Sequence, residues 1–236
     1  MTPKYNRVVL KLSGEALNGK NQVFYRQALD FLADEIRSVY QSVQLAIVIG
    51  GGNIVRGRYL MENFQTTPVT ADHIGMAATI LNALQLEDFL QREGMDTRIL
   101  SALEINAVAE PYTFKRALRH LEKGRIIILA GGTGSAGVTT DTAAVLRAGD
   151  LGAQIVFKGT KVDGVYSQDP IKNPEAVFIP RLSYSRFLRM NLTGILDETA
   201  VAQAKAKGVP IRVFNIFEAG NLARALGGEE IGSLIS

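Results

Sequence analysis

Short apolar runs alternate along this chain with longer segments in which apolar residues recur every three or four positions. The apolar runs are rich in β-branched residues, as expected of strands that are buried on both faces of a parallel sheet. They are residues 7–12, 45–49, 97–100, 126–129, 154–158 and 211–214. The periodic segments have the spacing of helices with one buried face. They are residues 25–40, 72–93, 112–122, 142–151, 197–207 and 221–226.

The alternation of strand and helix predicts an α/β fold, in which helices cover both faces of a mostly parallel sheet. Two segments interrupt the pattern. Residues 61–70 have no clear period and contain Pro68, which predicts a loop or lid. Residues 167–180 hold three prolines, and we predict that they are irregular and wrap over a bound group.

A chain of 236 residues, 47% of them hydrophobic, is long enough for one large α/β domain or for two small ones. The formal net charge of +3 is mild and does not by itself indicate nucleic-acid binding. One predicted helix carries a basic cluster without an interleaved aromatic platform, so we expect a solvated face rather than a nucleic-acid surface. The cluster consists of Lys115, Arg116, Arg119, His120 and Lys123.

The sequence contains no cysteine, which excludes disulfides, thiolate catalysis and cysteine zinc sites. The two histidines, His73 and His120, are far apart and form no metal-binding motif. The first residues do not resemble a signal peptide, and the apolar runs are far shorter than the roughly 20 residues of a membrane helix. We therefore expect a cytoplasmic protein with no membrane association.

Candidate chemistry begins in the glycine-rich segment after the strand at 126–129. Four glycines lie within residues 131–137, where absent Cβ atoms permit positive φ angles and let backbone N–H groups approach an anion. Thr139, Thr140 and Asp141 follow and can cap the next helix. The segment is either a phosphate cradle or a tight turn that uses glycine for its geometry alone. It contains no lysine and no Walker A motif, so a cation for phosphate chemistry must come from elsewhere.

A second glycine segment, G-G-G-N at residues 50–53, follows the strand at 45–49. Arg56 and Arg58 come shortly after it. Three consecutive glycines favour neither helix nor strand and bury no side chain. Contact with a ligand therefore explains this segment better than packing does.

Two lysines occupy equivalent places at the carboxyl ends of predicted strands, Lys11 in the first and Lys158 in the fifth. Ligands bind at that edge of open α/β sheets, so the two ammonium groups could together neutralise a phosphoryl group during its transfer. The alternative is a lysine that merely extends from the sheet edge into solvent. Asp72 could cap its helix or accept a hydrogen bond from a sugar hydroxyl, and spacing alone favours the cap.

Six motifs follow one another along the chain. They are K-L-S-G-E-A-L (11–17), G-G-G-N-I-V-R-G (50–57), A-D-H-I-G-M (71–76), T-T-D-T-A-A (139–144), K-V-D-G-V-Y-S-Q-D-P (161–170) and I-R-V-F-N (211–215). This ordered set resembles the bacterial uridylate kinases of the amino acid kinase superfamily. The match spans nearly the whole chain and is far more specific than a single glycine loop. It favours functional roles for Lys11, Asp72 and Lys158.

The resemblance implies a single amino acid kinase-like domain over residues 1–236. Its fold would be a three-layer αβα sandwich around a mostly parallel sheet of about eight strands. The acceptor-binding part would cover roughly residues 1–150, and the ATP-binding part roughly residues 151–236. The implied reaction moves the γ-phosphoryl group of ATP to UMP and gives UDP, a step of pyrimidine nucleotide biosynthesis, with Mg²⁺ carried mainly by the nucleotide phosphates. The resemblance further implies homohexamers, with GTP and UTP as effectors.

The same resemblance assigns roles to individual residues. Lys11 and Lys158 would stabilise charge on the transferring group, and Asp141 would orient them. The ATP-binding residues would be Lys11, Leu12, Ser13, Gly14, Gly52, Arg56, Thr160, Tyr166 and Asp169. The UMP-binding residues would be Gly51, Asp72, Thr133, Gly134, Ser135, Ala136, Gly137, Val138, Thr139 and Thr140.

One loop departs from the pattern of those kinases. They usually read G-T-G-N-P-[FY]-F-T-T-D, whereas residues 132–141 read G-T-G-S-A-G-V-T-T-D. Small groups replace an amide, a proline and two aromatic side chains, so we predict that UMP binds weakly and is selected less strictly against CMP or dUMP. Residues 18–24 are also shorter than usual, in a region that belongs to the GTP response of many relatives.

Two alternatives remain open on the sequence. The protein could be a related kinase with another acceptor, such as carbamate or an acyl amino acid. It could also be a non-catalytic protein that binds a nucleotide or an oxoanion. Retention of both lysines and Asp141 argues against the second alternative, because binding alone does not require that arrangement of charges.

Overall fold

The computed structural model describes residues 3–192 and 194–236. Its strands are β1 (Arg7–Leu12), β2 (Gln44–Ile49), β3 (Thr97–Ser101), β4 (Glu110–Pro111), β5 (Ile126–Ala130), β6 (Val156–Thr160), β7 (Val165–Tyr166), β8 (Phe178–Ile179), β9 (Arg181–Leu182), β10 (Ile211–Asn215) and β11 (Ser233–Ile235). Its helices are α1 (Arg26–Arg37), α2 (Gly57–Phe64), α3 (Pro68–Arg92), α4 (Phe114–Glu122), α5 (Thr140–Leu151), α6 (Tyr184–Arg189), α7 (Glu198–Lys207) and α8 (Asn221–Leu226). A short 3₁₀ helix covers Gly14–Ala16.

Nine of the strands form one sheet in the order β4-β3-β5-β2-β1-β6-β10-β11-β9. All neighbouring pairs are parallel except β10 and β11. Strands β7 and β8 form a separate antiparallel pair. This mostly parallel sheet confirms the predicted α/β class. Its nine strands agree with the expected number of about eight, and the three strands without an apolar run in the sequence, β4, β9 and β11, have only two or three residues each.

Two hydrophobic layers cover the sheet, one on each face. Alternate residues of β1 point to opposite sides. Val8 and Leu10 join the layer under α1, α3 and α8, whereas Val9 joins the layer under α4, α5 and α7. In the first layer, Phe157 and Phe214 on neighbouring strands pack edge to face, with 6.0 Å between ring centroids. This is the three-layer arrangement that the resemblance implies.

The prediction of a loop over residues 61–70 is wrong. Gly57–Phe64 form α2, and Pro68 opens α3 in the first helical turn, where a backbone N–H is not needed. None of the α2 residues is buried, and Tyr59 and Phe64 are exposed. The apolar residues of α2 therefore do not form the core-facing stripe by which a sequence reveals a helix.

Helix α3 is capped by Thr67, whose side-chain oxygen accepts a hydrogen bond from the Thr70 N–H. Asp72 therefore lies in the second turn and is not the cap that spacing alone favoured. Its carboxylate is available for contacts outside the helix. Although α3 has 25 residues, no helix within the described ranges is both long enough and apolar enough to cross a membrane.

The basic face predicted on α4 is solvated only in part. Lys115, Arg119 and Lys123 are exposed. His120, in contrast, is buried, and its Nε2 lies 3.1 Å from a carboxylate oxygen of Glu110. The prediction is therefore wrong for His120, because a histidine next to basic residues in the sequence turns inward to an acidic partner on β4.

Candidate active site

The carboxyl ends of five parallel strands, β5, β2, β1, β6 and β10, lie at one edge of the sheet. The segments that leave these strands therefore meet at that edge. They include the two predicted glycine segments, residues 50–53 after β2 and residues 131–137 within the connection between β5 and α5. The candidate chemistry of the sequence thus lies at the edge where open α/β folds bind ligands.

Lys11 and Lys158 are register partners on the adjacent strands β1 and β6. Side chains of such partners point to the same face of the sheet. Lys11 Nζ lies 2.7 Å from Asp141 Oδ1, and Lys158 Nζ donates a hydrogen bond to Asp141 Oδ2. The two lysines are only 8% and 7% exposed. The structure therefore brings together the three residues to which the resemblance assigns catalysis.

Burial and pairing act against each other in this cluster. Burial disfavours the charged lysine and lowers the pKa of Lys158 to about 8, although the neighbouring Asp141 favours the cation. Burial alone would raise the pKa of Asp141, but the ammonium groups of Lys11 and Lys158 outweigh burial and lower that pKa to about 2. At neutral pH the carboxylate balances one lysine, and the cluster presents a net positive charge to the glycine loops.

Close backbone approach explains the glycine at position 14. A Cβ atom there would lie 2.7 Å from the Gly50 carbonyl oxygen and would overlap the Asn53 side chain. The turn after β1 thus packs directly on the loop after β2. Gly51 lies against helix α3, whereas Gly52 is exposed, and a Cβ on it would meet nothing within 4 Å. Gly52 is therefore the open part of this loop.

Two predicted ATP-binding residues, Leu12 and Ser13, use their backbone carbonyls in hydrogen bonds within the protein. Leu12 is fully buried, and its carbonyl accepts a hydrogen bond of 2.9 Å from the Gly50 N–H. The carbonyl of Ser13 accepts one of 3.0 Å from the Ala16 N–H, which forms the 3₁₀ turn. These bonds fix the conformation of the segment between Lys11 and that turn.

Hydrogen bonds within the loop after β5 fix its conformation. The Gly134 N–H donates to the Gly131 carbonyl at 3.0 Å, and the Ser135 N–H donates to the Thr133 hydroxyl at 3.2 Å. Helix α5 begins at Thr140, directly after this loop. The loop therefore has a defined shape that leads into the helix carrying the shared carboxylate.

Asp72 contacts this loop across space. Its Oδ2 accepts a hydrogen bond of 2.6 Å from the Gly137 N–H. Gly137 has a φ of +78°, a left-handed conformation that favours glycine. The contact places Asp72 beside the loop to which the resemblance assigns UMP.

Asp197 joins two helices at the same edge, and the sequence singled it out only as the start of a helix. Its carboxylate accepts hydrogen bonds from the hydroxyls of Thr139 and Thr142, the second at 2.6 Å. It also accepts bonds from the backbone N–H groups of Thr199 and Ala200 in the first turn of α7. Asp197 thus ties the start of α5 to α7 and was missed as part of the site.

Glu15 holds two cations on the side of the 3₁₀ turn. Arg56 and Lys161 both form ion pairs with its carboxylate, the second at 2.8 Å. The hydrogen bond from Lys161 is the largest cause of the lowered pKa of Glu15. Arg56, a predicted phosphate ligand, therefore lies against Glu15, and an incoming anion would compete with that carboxylate.

The remaining ATP-binding candidates lie beyond β6. The Thr160 hydroxyl donates to the Val162 carbonyl at 2.7 Å. Tyr166 lies in β7 and packs edge-on against Phe178 of β8, with 5.4 Å between ring centroids. Asp169 lies in the exposed connection between these strands. The structure thus places Tyr166 and Asp169 on the β7–β8 hairpin rather than in the lysine cluster.

Comparison with known proteins identifies the family to which this chain belongs. The profile of the amino acid kinase family matches residues 6–215. The chain belongs to the amino acid kinase family. It is 48% identical over 235 residues to a uridylate kinase of Methylococcus capsulatus, in an alignment that covers 99% of this chain and 98% of that protein.

Solved structures of amino acid kinase-like proteins agree with the fold. The UMP kinase of Bacillus anthracis has a TM-score of 0.94 and 38% identity, and the match covers 98% of this chain and 96% of that one. The UMP kinase of Ureaplasma parvum has a TM-score of 0.92 and 30% identity, with 99% of both chains covered. The uridylate kinase of Archaeoglobus fulgidus is less similar, with a TM-score of 0.76 and 28% identity over 97% of this chain and 99% of that one.

In the loop after β5, Gly137 departs from the usual uridylate kinase sequence pattern and adopts a left-handed backbone conformation. The usual uridylate kinase pattern places an aromatic residue at the position of Gly137. An aromatic side chain would be strained at a φ of +78°. The bond from the Gly137 N–H to Asp72 is therefore made in a conformation that depends on this glycine.

Proposed function

We propose that this chain is a UMP kinase, which transfers the γ-phosphoryl group of ATP to the phosphate of UMP and releases UDP and ADP. The observation that carries the proposal is the buried cluster of Lys11, Asp141 and Lys158 at the edge where two glycine loops meet. The relatives named uridylate kinase and UMP kinase, 48% and 38% identical over nearly the whole chain, support the same activity. They favour it over a kinase with another acceptor and over a non-catalytic relative.

Phosphoryl transfer requires alignment and charge stabilisation rather than a covalent intermediate. In the loose transition state, negative charge spreads over the oxygens of the transferring group. Lys11 and Lys158 would bind those oxygens, because their ammonium groups extend from register-paired positions. Asp141 holds both ammonium groups in place before the substrates arrive, so little reorganisation is needed when the charge develops.

In this proposal a single domain binds the acceptor through residues within roughly 1–150, whereas ATP is bound by residues within roughly 151–236 together with the segments after β1 and β2. UMP would lie between Asp72 and the loop after β5, whose backbone N–H groups can cradle its phosphate. ATP would lie between the 3₁₀ turn, the exposed Gly52 and the β7–β8 hairpin. Its phosphates would displace Glu15 and recruit the cations that Glu15 now holds.

ATP would bring Mg²⁺ with it. Across the described parts of the chain, no group of three or more His, Cys, Asp or Glu side chains could hold a metal ion. Both oxygens of Asp141 face ammonium groups, which disfavours a further cation there. The site does not fit a metal held by the protein, and in the proposal the phosphate oxygens of the nucleotide carry the ion.

The proposal extends to assembly and regulation. Helices α2 and α3 expose the apolar side chains of Tyr59, Phe64, Val69 and Leu81, which supports self-association. By the same resemblance to uridylate kinases, we propose that the chain forms a cytoplasmic homohexamer, serves pyrimidine nucleotide biosynthesis and responds to GTP and UTP as effectors. Analytical ultracentrifugation tests the hexamer, and titration of GTP and UTP into the kinase assay tests the effectors.

An ATP-consumption assay over a panel of acceptors tests the proposed function. The panel contains UMP, CMP, dUMP, carbamate and an acyl amino acid. We expect UMP to be the best acceptor, with reduced preference over CMP and dUMP because small side chains replace aromatic walls in the acceptor loop. A faster reaction with carbamate or the acyl amino acid, or no acceptor-dependent consumption at all, would contradict the proposal.

Asp72→Ala should raise the KM for UMP by about fivefold to 150-fold and the KM for ATP far less. The reason is that an acceptor hydroxyl without its partner costs about 1 to 3 kcal/mol. The change also removes the partner of the Gly137 N–H. Helix α3 keeps its cap at Thr67, so the melting temperature should change little. Asp88→Ala, which removes an exposed α3 carboxylate paired with Arg92, is the matched control. Equal weakening of both substrates would make Asp72 structural.

The rate should fall as the pH rises through about 8. Lys158 acts as a cation in the proposal, and burial lowers its pKa to about 8, so its charge is lost where an exposed lysine keeps it. The measurement is kcat/KM from about pH 6 to about pH 10, which reports groups of the free enzyme. The effect of Lys158 on the free energy of unfolding has the opposite sign. This free energy should increase between about pH 8 and pH 10.5, because the unfolded chain holds the proton more tightly than the folded protein does. A flat rate profile across this range would contradict the assignment.

A further inference from the structure

Helix α3 carries two polar side chains on its buried face. Thr79 and Asn82 are 2% and 0% exposed, although Ile80 and Ala83 beside them belong to a hydrophobic layer. Residues three positions apart lie on the same face of a helix, about one turn apart. Both side chains make hydrogen bonds to the segments at the ligand edge.

Asn82 anchors the loop after β2. Its Nδ2 donates to the Gly50 carbonyl at 2.6 Å and to Asn53 Oδ1 at 2.7 Å, and its Oδ1 accepts from Asn53 Nδ2 at 3.1 Å. Asn53 Nδ2 in turn donates to the Val23 carbonyl at 3.0 Å. The side chain of Asn53 also fills the space that a Cβ on Gly14 would take. Through Asn53, Asn82 thus fixes the segment after β1 as well.

Thr79 anchors the loop after β5. Its hydroxyl accepts a hydrogen bond of 2.8 Å from the Gly131 N–H and donates one of 2.7 Å to the Met76 carbonyl of its own helix. Gly131 is the first residue of the loop, so the bond sets the direction in which the loop leaves the sheet. The bond to Met76 orients the Thr79 hydroxyl to accept from the loop.

Burial alone does not account for these side chains. Apolar residues of the same size would fill the space without bringing polar atoms into the interior, where they are costly unless satisfied. The side-chain polar atoms of Thr79 and Asn82 all have partners, and the partners outside the helix lie in the glycine loops. One rigid helix therefore sets the distance between the loop after β2 and the loop after β5.

We propose that Thr79 and Asn82 are positioning residues for phosphoryl transfer. Thr79 fixes the acceptor-side loop after β5, and Asn82 fixes the loop after β2 together with the turn after β1. The inference rests on the proposed function, because transfer requires donor and acceptor atoms about 3 to 3.5 Å apart, and a displacement of about 1 Å can cost about 100-fold in rate.

Thr79→Val tests the acceptor side, because it removes the hydroxyl and keeps the shape. We expect kcat/KM for UMP to fall by about tenfold to 100-fold, with the KM for ATP within about twofold of wild type. Thr79→Ser restores the hydroxyl and should recover most of the loss. Binding of UMP measured by calorimetry should weaken in Thr79→Val and recover in Thr79→Ser, which is a readout independent of turnover.

Thr97→Val is the matched control. Thr97 is also fully buried, but its hydroxyl donates to the Met95 carbonyl at the amino end of β3, on the opposite edge of the sheet. The Thr97→Val variant should lower the melting temperature as much as Thr79→Val does, but it should leave the kinetics unchanged. Asn82→Leu extends the test and should raise the KM for ATP and lower kcat. If Asn82→Leu does not fold, the Thr79 variants decide the role of Thr79, and Asn53→Ala, which removes a partner of Asn82 at a half-buried position of the same loop, should raise the KM for ATP and decides the role of Asn82.

The outcomes separate two failures. If the wild type is active and the folded Thr79→Val variant has the same kinetics, the positioning role of Thr79 is overturned and the proposed function stands. The positioning role is also overturned if Thr97→Val loses as much activity as Thr79→Val, because the loss then comes from removing any buried hydroxyl. Wild type that consumes no ATP with UMP overturns the proposed function, and the positioning role falls with it.

Discussion

Lys158→Met should lower kcat by at least ~100-fold while the protein stays folded, which is the scale of losing one electrostatic stabiliser. Methionine fills a similar volume in a position that is 7% exposed. Asp141 keeps its ion pair with Lys11 at 2.7 Å, so no carboxylate is left buried without a partner. The loss should therefore fall on the transition state and not on the fold. The measurement is steady-state turnover of ATP with saturating UMP, accompanied by a thermal melt.

Lys11→Met should behave in the same way, because the two lysines hold register-paired positions and share one carboxylate. The control is Lys123→Met, which changes an exposed lysine at the end of α4 and should leave turnover unchanged. Near-normal turnover in a folded variant of Lys11 or Lys158 would refute the role of that lysine in charge stabilisation.

Asp141→Asn should cost about 3 to 5 kcal/mol in the free energy of unfolding, as expected when one partner of a buried ion pair is removed. The change leaves Lys11 and Lys158 close together with no counter-charge, in a place where each is less than a tenth exposed. The deficit should shrink as the pH rises, because deprotonation of a buried lysine relieves the repulsion. Urea unfolding at about pH 7 and about pH 9.5 measures both effects.

Asp30→Asn is the control for this experiment. Asp30 forms an ion pair with Arg26 on the exposed face of α1, and such a surface pair is worth about 0 to 1 kcal/mol. A deficit for Asp141→Asn that is no larger than that of Asp30→Asn would show that the buried carboxylate does not hold the lysines together. A deficit that stays constant with pH would point to lost packing rather than to charge.

The sequence predicts those parts of the site that depend on strand ends and glycine loops. Lys11 and Lys158 could be expected to meet because parallel strands end at one edge. The identity of the partner that joins them came from the family resemblance, and the structure supplies the contacts with Asp141. Local pattern thus locates the edge, and comparison of motifs assigns roles to residues at it.

Long-range polar contacts leave no local pattern. Asp197 binds the hydroxyl of Thr142, which is 55 positions away in the chain, and Thr79 binds the Gly131 N–H from 52 positions away. From its neighbours in the sequence, Asp197 would be interpreted as a helix cap and Thr79 as one position on the buried face of a helix. Periodicity reports whether a residue is buried, but it does not report which backbone group that residue meets.

Helix α2 is an element that the apolar pattern of the sequence does not predict. Its apolar residues face outward in the single chain, so a rule that looks for a buried stripe reads the segment as a loop. The short strands β4, β9 and β11 were missed because pairing with a neighbour creates them, and two or three residues carry no period of their own. In both cases the element depends on surroundings that the local sequence does not contain.

Because Lys11 and Lys158 are register partners, the site depends on the length of two strands as well as on which residues they contain. One residue inserted or deleted within β6 would bring Phe157 or Gly159 opposite Lys11 and turn the second ammonium group to the other face of the sheet. During evolution these strands can accept substitutions, but a lineage that changes their length loses the chemistry before it loses the fold. Insertions and deletions should therefore collect in exposed connections away from the sheet, such as residues 18–24.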